Sequence, residues 1–171
     1  MDGKILIALI SPILITIGGV ISWFLKAKRE EFLSIEEKAR ENKIKIYETL
    51  LEPFIYALTG TLDEDEKNNG IQKMLTLEYK KAAFNLITFG SDEVVNSYNT
   101  IMQSFFNKES YDDNEYGIIL LAQLSELLLN IRKDLYSKNT KLKRSNLLEF
   151  MMTDIENYRD KIDNFKFRKI N

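Results

Sequence analysis

The feature that most constrains this chain is a run of 21 residues, 5–25, without a single ionisable side chain. At about 1.5 Å of rise per residue, a helix over this run is roughly 31 Å long, which matches the hydrocarbon core of a bilayer. The run exceeds the apolar core of a secretory signal, its N-terminal flank is not basic, and no small-residue cleavage pattern precedes Lys26. We therefore interpret residues 1–25 as a transmembrane anchor.

The distribution of basic residues around this run predicts its orientation. Only Lys4 precedes it, whereas five basic residues follow it within 15 positions: Lys26, Lys28, Arg29, Lys38 and Arg40. The positive-inside rule then places the C-terminal part in the cytoplasm and the N-terminus on the other side of the membrane. Trp23 is expected at the membrane interface together with Lys26, Lys28 and Arg29. The absence of cysteine is consistent with this location.

Small side chains recur along one face of the predicted anchor. Gly18 and Ser22 form a small-xxx-small pair, a spacing that lets two helix backbones approach closely in lipid. The sequence thus predicts self-association through the anchor, the alternative being a single helix in which the small residues recur by chance. The predicted packing residues are Ala8, Ser11, Ile15, Gly18 and Ser22.

The 146 residues after the anchor are sufficient for one domain with its own core. Glycine and proline are scarce, and the apolar spacing is helical with no sustained alternation, so the predicted fold class is all-α. Residues 26–45 are predicted to form a charged juxtamembrane helix, either solvated or in a loose coiled coil. Residues 46–163 are predicted to form a cytoplasmic bundle of four or five helices, followed by a basic tail at 164–171.

Capping residues and breaks divide this bundle into predicted helices. Pro53 predicts a kink or a new helix start. A helix over 71–89 is expected to end at Gly90, and Ser91 to begin the next one. A polar loop at 107–115 precedes a helix at about 116–137, and Asn146 with Glu149 predicts the capping box of a last helix. The 71–89 helix is expected to bury Ile71, Met74, Leu75, Tyr79, Ala82, Ala83, Leu86 and Phe89, and the last one Leu148, Met151, Ile155, Tyr158 and Ile162.

Residue types missing from the chain limit its chemistry. It has no His and no Cys, which supply most general bases, thiolate nucleophiles and transition-metal ligands. The acidic stretch 63–66 fails the calcium-loop pattern, because Asn68 stands where glycine is required and Met74 where the bidentate Glu belongs. Neither nucleotide-binding glycine motif is present. We expect no catalytic site, no metal and no cofactor.

Charge is distributed unevenly along the predicted domain. Residues 60–131 carry 5 basic and 12 acidic side chains, a net of −7, whereas residues 132–171 carry 11 and 6, a net of +5. The basic residues can bind an anionic partner, either lipid headgroups or an acidic protein. They can also complement a helix C-terminus and pair with the acidic half. Nucleic acid is disfavoured, because the domain is acidic overall. This basic cluster comprises Arg132, Lys133, Lys138, Lys141, Lys143 and Arg144.

Three stretches of the chain resemble a set of uncharacterised bacterial proteins. They are YETLLEPFIYAL (47–58), LEYKKAAFNLITFGSDEVVNSYNTIMQ (77–103) and LLAQLSELLLNIRKDLYSKNTKLKRSNLLEFM (120–151). Proteins of that set join a membrane helix or a charged coiled segment to a small helical domain with a "GSDEVV…YN" signature, here residues 90–99. The resemblance implies one helical domain and a place among accessory genes, including antiphage systems, but no activity.

Two classes of function agree with these predictions. The first is a non-enzymatic scaffold that self-associates and holds a cytoplasmic protein at the membrane. The second is a membrane-disrupting effector whose transmembrane helices assemble on a cytoplasmic signal. The scaffold is favoured, because the predicted anchor offers no polar face for a pore. An effector is expected to depolarise cells when overexpressed, whereas a scaffold is expected to be tolerated.

Overall fold

The computed structural model describes the backbone of residues 3–58, 64–136 and 139–167. Side chains are described from residue 19 onward within these ranges, except at 20, 57–58, 64–67 and 113–114. Over these residues the fold is all-α, as the sequence predicts, with six α-helices and no strand. The chain divides into two compact units, residues 1–42 and residues 43–171.

The six helices follow one another with short connections. They are α1 (Gly3–Leu58), α2 (Glu64–Leu75), α3 (Leu77–Phe89), α4 (Asp92–Phe106), α5 (Asp113–Leu135) and α6 (Arg159–Asp163). Three 3₁₀ turns lie at Lys108–Ser110, Ser145–Leu147 and Ile155–Asn157. The helix predicted at about 116–137 corresponds to α5, which begins three residues earlier.

Most of the predicted transmembrane segment, 5–25, lies outside the described side chains. Its backbone from Gly3 onward belongs to α1. Among the residues that the structure describes, none of the helices has the combination of length and apolar composition that crossing a bilayer requires. The anchor therefore stays a prediction. The charged segment that follows is helical, and its side chains are exposed from residue 21 through residue 42.

The core of the C-terminal unit lies where α1, α3, α4 and α5 meet. Side chains from all four helices are almost fully buried, including Leu50, Leu86, Val94 and Leu127. A second cluster of Phe54, Ile101 and Leu124 continues this core along α1, α4 and α5. Burying one such side chain contributes about 1.5–3 kcal/mol. The prediction that these helically spaced apolar residues form the core is thus confirmed.

Two buried tyrosines join α3 to α4 inside this core. The hydroxyl of Tyr98 donates a hydrogen bond to that of Tyr79 at 3.1 Å. Burial raises the pKa of both hydroxyl groups above the ordinary value. Each aromatic ring contributes apolar area, while the shared hydrogen bond satisfies polar atoms that water cannot reach.

The new helix start considered at Pro53 does not occur, since α1 continues to Leu58. Pro53 and Phe54 are buried on the side of α1 that packs against the rest of the unit. A Cβ atom added at Gly70 of α2 would lie only 2.8 Å from Tyr56 Cβ. Glycine therefore lets α2 approach α1 closely here, and this packing outweighs the local cost of proline within the helix.

The helix predicted over 71–89 is two helices, α2 and α3, that meet at Thr76. Thr76 has an extended conformation, and its Oγ1 accepts a hydrogen bond from Tyr79 N at 3.2 Å while donating one to Lys73 O at 2.7 Å. This capping threonine satisfies backbone groups on both sides of the break. It also redirects the apolar stripe: Tyr79, Ala82 and Leu86 are buried as predicted, but Ile71, Leu75 and Phe89 are exposed.

The predictions for the next helix boundary are partly confirmed. Ser91 precedes α4, and Asp92 and Glu93 lie in its first turn, although the Ser91 side chain makes no capping bond. Gly90 does not adopt the left-handed conformation expected of it, having φ −74° and ψ 157°. A Cβ atom there would lie 2.7 Å from Leu86 O, so a close approach explains this glycine.

The prediction of one continuous last helix is wrong. Two 3₁₀ turns and the five-residue α6 replace it. Asn146 does not cap a helix: its Oδ1 accepts from Lys143 N, and its Nδ2 donates to Glu149 Oε1. The predicted apolar residues Leu148, Ile155 and Ile162 nevertheless form one buried cluster. Side chains rather than a helical ladder hold this segment, as described below.

Candidate functional site

Among the packing residues predicted for the anchor, only Ser22, near its C-terminal end, has a side chain that the structure describes. The side chains of Ala8, Ser11, Ile15 and Gly18 lie outside the described residues, and Ser22 is exposed. The predicted self-association therefore stays a prediction.

The predicted membrane-interface residues lie on an exposed stretch of α1. Trp23 is 70% exposed, and Arg29 is also exposed. Lys26 forms an ion pair with Glu30 at 4.0 Å, and Lys28 one with Glu31 at 2.8 Å. Pairs this exposed contribute little to stability, so both lysines remain able to contact lipid headgroups.

The predicted basic cluster is spread over the end of α5 and the segment after it. Arg132 and Lys133 occupy the last turn of α5, where a positive charge complements the helix dipole. Lys141 and Lys143 are exposed. Lys138 lies outside the described residues.

Arg144, by contrast, is committed to contacts within the chain. Its Nε donates to Glu126 Oε2 of α5 at 2.5 Å. Its Nη1 donates to three backbone oxygens, of which Phe165 O is the nearest at 2.8 Å, and the guanidinium lies 4.5 Å from the centre of the Phe167 ring. Its charge is thus neutralised and largely shielded, and Arg144 fixes the C-terminal segment to α5 rather than facing a partner.

A second set of polar contacts holds the same segment. Asp163 accepts hydrogen bonds from the backbone N and the Oγ of fully buried Ser145, both at 2.9 Å. Arg159 donates to Glu149 and to Glu156, and these bonds lower the pKa of both carboxyl groups. These contacts add to the backbone bonds of the short turns that stand in place of the predicted continuous helix.

The carboxylate of Asp134 is also unavailable to the basic cluster. It accepts hydrogen bonds from Lys43 Nζ and from the Tyr47 hydroxyl, both on α1. Burial, and then the hydrogen bond to Asp134, raise the pKa of Tyr47. Since Asp134 is neutralised by α1, the charges of Arg132 and Lys133 are not offset by their neighbour in sequence.

A surface feature that the sequence pattern missed is an apolar face on α2 and α3. Phe84 is 73% exposed, and Leu77 and Ile87 lie beside it on the outward side of α3 together with Lys80 and Lys81. The only acidic residue of α3, Glu78, lies to the side of this face. We call this surface the α2–α3 face: on α3 it comprises Leu77, Phe84 and Ile87, and the adjoining helix α2 exposes Ile71 and Leu75. Phe89 is also exposed, but it lies on the side of Glu78.

The sequence contained a signal for this face. The apolar residues of 71–89 are too numerous for one stripe, because Phe84 falls opposite Ala82 and Leu86 on a helical wheel and Ile87 lies on the same side as Phe84. A helix that is apolar on both sides is either fully buried or carries a second contact surface. Within the described residues, only one side of α3 is covered.

Nothing in the described geometry marks a catalytic or metal centre. Within those residues, no three His, Cys, Asp or Glu side chains are grouped so that they could hold a metal ion. The expectation that the chain has no catalytic site remains a prediction.

Comparison of the chain with protein-family models, with curated proteins and with solved structures finds no match.

Proposed function

We propose that this chain is a single-pass inner-membrane protein whose helical unit self-associates and holds a cytoplasmic protein at the membrane. The observation that carries this proposal is the α2–α3 face. Large apolar side chains exposed together mark interaction surfaces, because each is worth about 1.5–3 kcal/mol when a partner buries it.

The charges beside this face define the chemistry of the partner. Lys80 and Lys81 flank Phe84 on the outward side of α3, and both are exposed. A partner that covers the apolar residues must also place acidic groups near these ammonium groups, since an unpaired buried charge opposes binding. The proposed partner is therefore an apolar protein surface with an acidic rim.

A photo-crosslinking amino acid in the full-length chain tests this assignment in cells. Placed at Phe84, it is expected to form covalent adducts with one or a few defined proteins. The matched control is the same probe at Phe106 on α4, which is equally exposed at 72%. Adducts at both positions, or at neither, would contradict a specific surface on α3. An Ile87→Ser substitution is expected to weaken the adduct at position 84.

Self-association rests on the predicted anchor and has its own test. Replacing Gly18 and Ser22 together by Leu removes the small residues that allow close helix packing. Chemically crosslinked oligomers of the full-length chain are then expected to diminish. Unchanged crosslinking would assign the contact to other helices, and no oligomers in the unmodified chain would refute self-association.

A further inference from the structure

A polar groove between α4 and α5 plays no part in the function proposed above. Two adjoining cavities of about 370 and 750 Å³ form it, and they share Thr100, Gln123 and Phe167 as lining residues. From Thr100 the smaller cavity extends along α4 to Glu93, and the larger one reaches Asn107 in the other direction. The groove therefore follows α4 along most of its length.

The lining of this groove offers both hydrogen-bond donors and acceptors. The side-chain amides of Asn96 and Asn99 are exposed and make no hydrogen bond among the described residues. Glu126 is already paired with Arg144, so the lining has no excess of negative charge. Such a lining matches the peptide groups of an extended chain, because each of them carries one donor and one acceptor.

The floor of the groove also holds a buried acceptor that needs a donor. Gln123 of α5 is 5% exposed, and its Nε2 donates a hydrogen bond to Ser104 Oγ at 2.7 Å. Its Oε1 is buried and accepts no hydrogen bond within the described part of the chain. Native proteins rarely leave a buried acceptor unsatisfied, so a donor is expected to enter the groove here.

The C-terminal segment of the chain itself enters this groove. Phe165 and Lys166 line the larger cavity only, whereas Phe167 lines both cavities. Arg144 fixes this entry, because its Nη1 donates to Phe165 O at 2.8 Å and its guanidinium lies 4.5 Å from the centre of the Phe167 ring. From Phe165 to Phe167 the segment therefore runs from the larger cavity towards the smaller one.

The exposure of this segment alternates, which is typical of an extended chain that lies on a surface. Phe165 and Phe167 are partly buried, whereas Asn164 and Lys166 are exposed. Side chains two positions apart in an extended chain face the same side. If the segment continues in this way, the side chain of Lys169 faces the groove, as that of Phe167 does.

We infer that residues 168–171, which lie outside the described residues, continue along the groove and fill its smaller cavity. Two extended residues beyond Phe167 span about 6.6 Å, and the four helical residues from Thr100 back to Asn96 span about 6 Å. Lys169 therefore lies level with Asn96.

The peptide groups of residues 168–171 supply what the groove lacks. One of their N–H groups donates to Gln123 Oε1, and the amides of Asn96 and Asn99 bind the other peptide groups. Because the segment is tethered at Phe167, its effective concentration in the groove is on the order of millimolar. While the segment occupies the smaller cavity, the groove is closed to other polypeptides.

Disulfide mapping in the full-length chain in detergent tests this inference, because the chain contains no cysteine of its own. Asn96→Cys combined with Lys169→Cys is expected to form an intramolecular disulfide under mild oxidation. The matched control combines Lys169→Cys with Asn107→Cys. Asn107 is also exposed and lines the same groove, but it lies about 10 Å from Thr100 in the opposite direction. We expect the first pair to crosslink at least tenfold faster than the control pair.

The role of Gln123 is tested in the same crosslinking assay. Gln123→Met, added to the first cysteine pair, removes the buried acceptor at similar volume and is expected to slow crosslinking at least threefold. Gln72→Met on α2 makes the same change at an exposed position and is expected to leave the rate unchanged. Circular dichroism verifies that each variant is folded.

Several outcomes would overturn the inference. They are equal rates for the two cysteine pairs, no disulfide in either pair, or an unchanged rate in Gln123→Met. A disulfide that joins two chains, seen as a dimer on a non-reducing gel, would also refute it, because the groove would then hold the segment of a second copy.

Discussion

Asp134 and Lys43 connect the two helices that frame the core of the C-terminal unit. Both carboxylate oxygens of Asp134 on α5 accept hydrogen bonds from Lys43 Nζ on α1, each at 2.9 Å. The Asp134 side chain is only 9% exposed, and that of Lys43 is 25% exposed. The pair therefore joins residues 91 positions apart in a largely water-excluded contact.

Asp134→Asn is expected to destabilise the folded chain by about 1–3 kcal/mol, because it leaves the Lys43 ammonium partly buried without a counter-charge. Thermal unfolding followed by circular dichroism measures the change. Asp154→Asn makes the same substitution at an exposed position and is expected to change stability by less than about 0.5 kcal/mol. Equal effects of the two variants would contradict a specific role of the pair.

Arg144 is expected to stabilise the segment after α5, whereas the adjacent Lys143 is not. Arg144→Gln removes the bond to Glu126 and the contacts with three backbone oxygens, so the segment after α5 is expected to detach from it. Limited proteolysis within residues 139–167 should then be at least about tenfold faster, equivalent to roughly 1.4 kcal/mol of local stability. Lys143→Gln, one residue earlier and exposed, is the control and should not change the rate.

Alkaline pH is expected to destabilise the fold through its buried tyrosines. Burial raises the pKa of Tyr47, Tyr79 and Tyr98, so the folded chain keeps these protons when the unfolded chain loses them. The stabilisation that the folded chain gains by keeping these protons is fully present below about pH 10, the ordinary tyrosine pKa. It is lost as the pH rises further. Absorbance at the phenolate band should show that these three of the eight tyrosines ionise only when the chain unfolds. Ionisation of all eight near pH 10, with the chain still folded, would contradict the burial of the three.

The exposed members of the basic cluster are expected to contact anionic lipid. The compact unit 43–171, once circular dichroism shows that it folds, should bind anionic vesicles in low salt and dissociate as salt rises. Changing Lys141 and Lys143 to Gln is expected to weaken binding by up to about thirtyfold, at roughly 1 kcal/mol for each residue near the surface. Lys45→Gln combined with Lys108→Gln, which also removes two exposed charges, is the charge-matched control. Equal binding to neutral vesicles would refute the electrostatic contact.

The sequence predicted the all-α class and most of the core because those depend on local periodicity. Leu50, Leu86, Val94 and Leu127 each belong to an apolar stripe, and each is buried. The break at Thr76 was missed because a single capping threonine leaves the apolar spacing on either side intact.

Features that depend on distant residues could not be predicted in this way. The segment 145–163 keeps its buried Leu148 and Ile162, but its backbone bonds are confined to short turns, and Arg144 and Glu126 join it to α5. The basic cluster was predicted from a count of charges along the chain, yet Arg144 is used internally because Glu126, 18 positions earlier, faces it. Likewise the Oε1 of Gln123, which accepts no hydrogen bond among the described residues, is buried only once α4 packs on α5.

The central claim is that the helical unit lies on the cytoplasmic side of a membrane, held there by residues 1–25. C-terminal fusions of the full-length chain to green fluorescent protein and to alkaline phosphatase, expressed in bacteria, test it most directly. We expect fluorescence in the alkali-washed membrane fraction and no phosphatase activity, because only the first reporter folds in the cytoplasm. The account would be contradicted if the phosphatase fusion were active and the green fluorescent protein fusion were not fluorescent. It would also be contradicted if the alkaline wash released the fusion from the membrane.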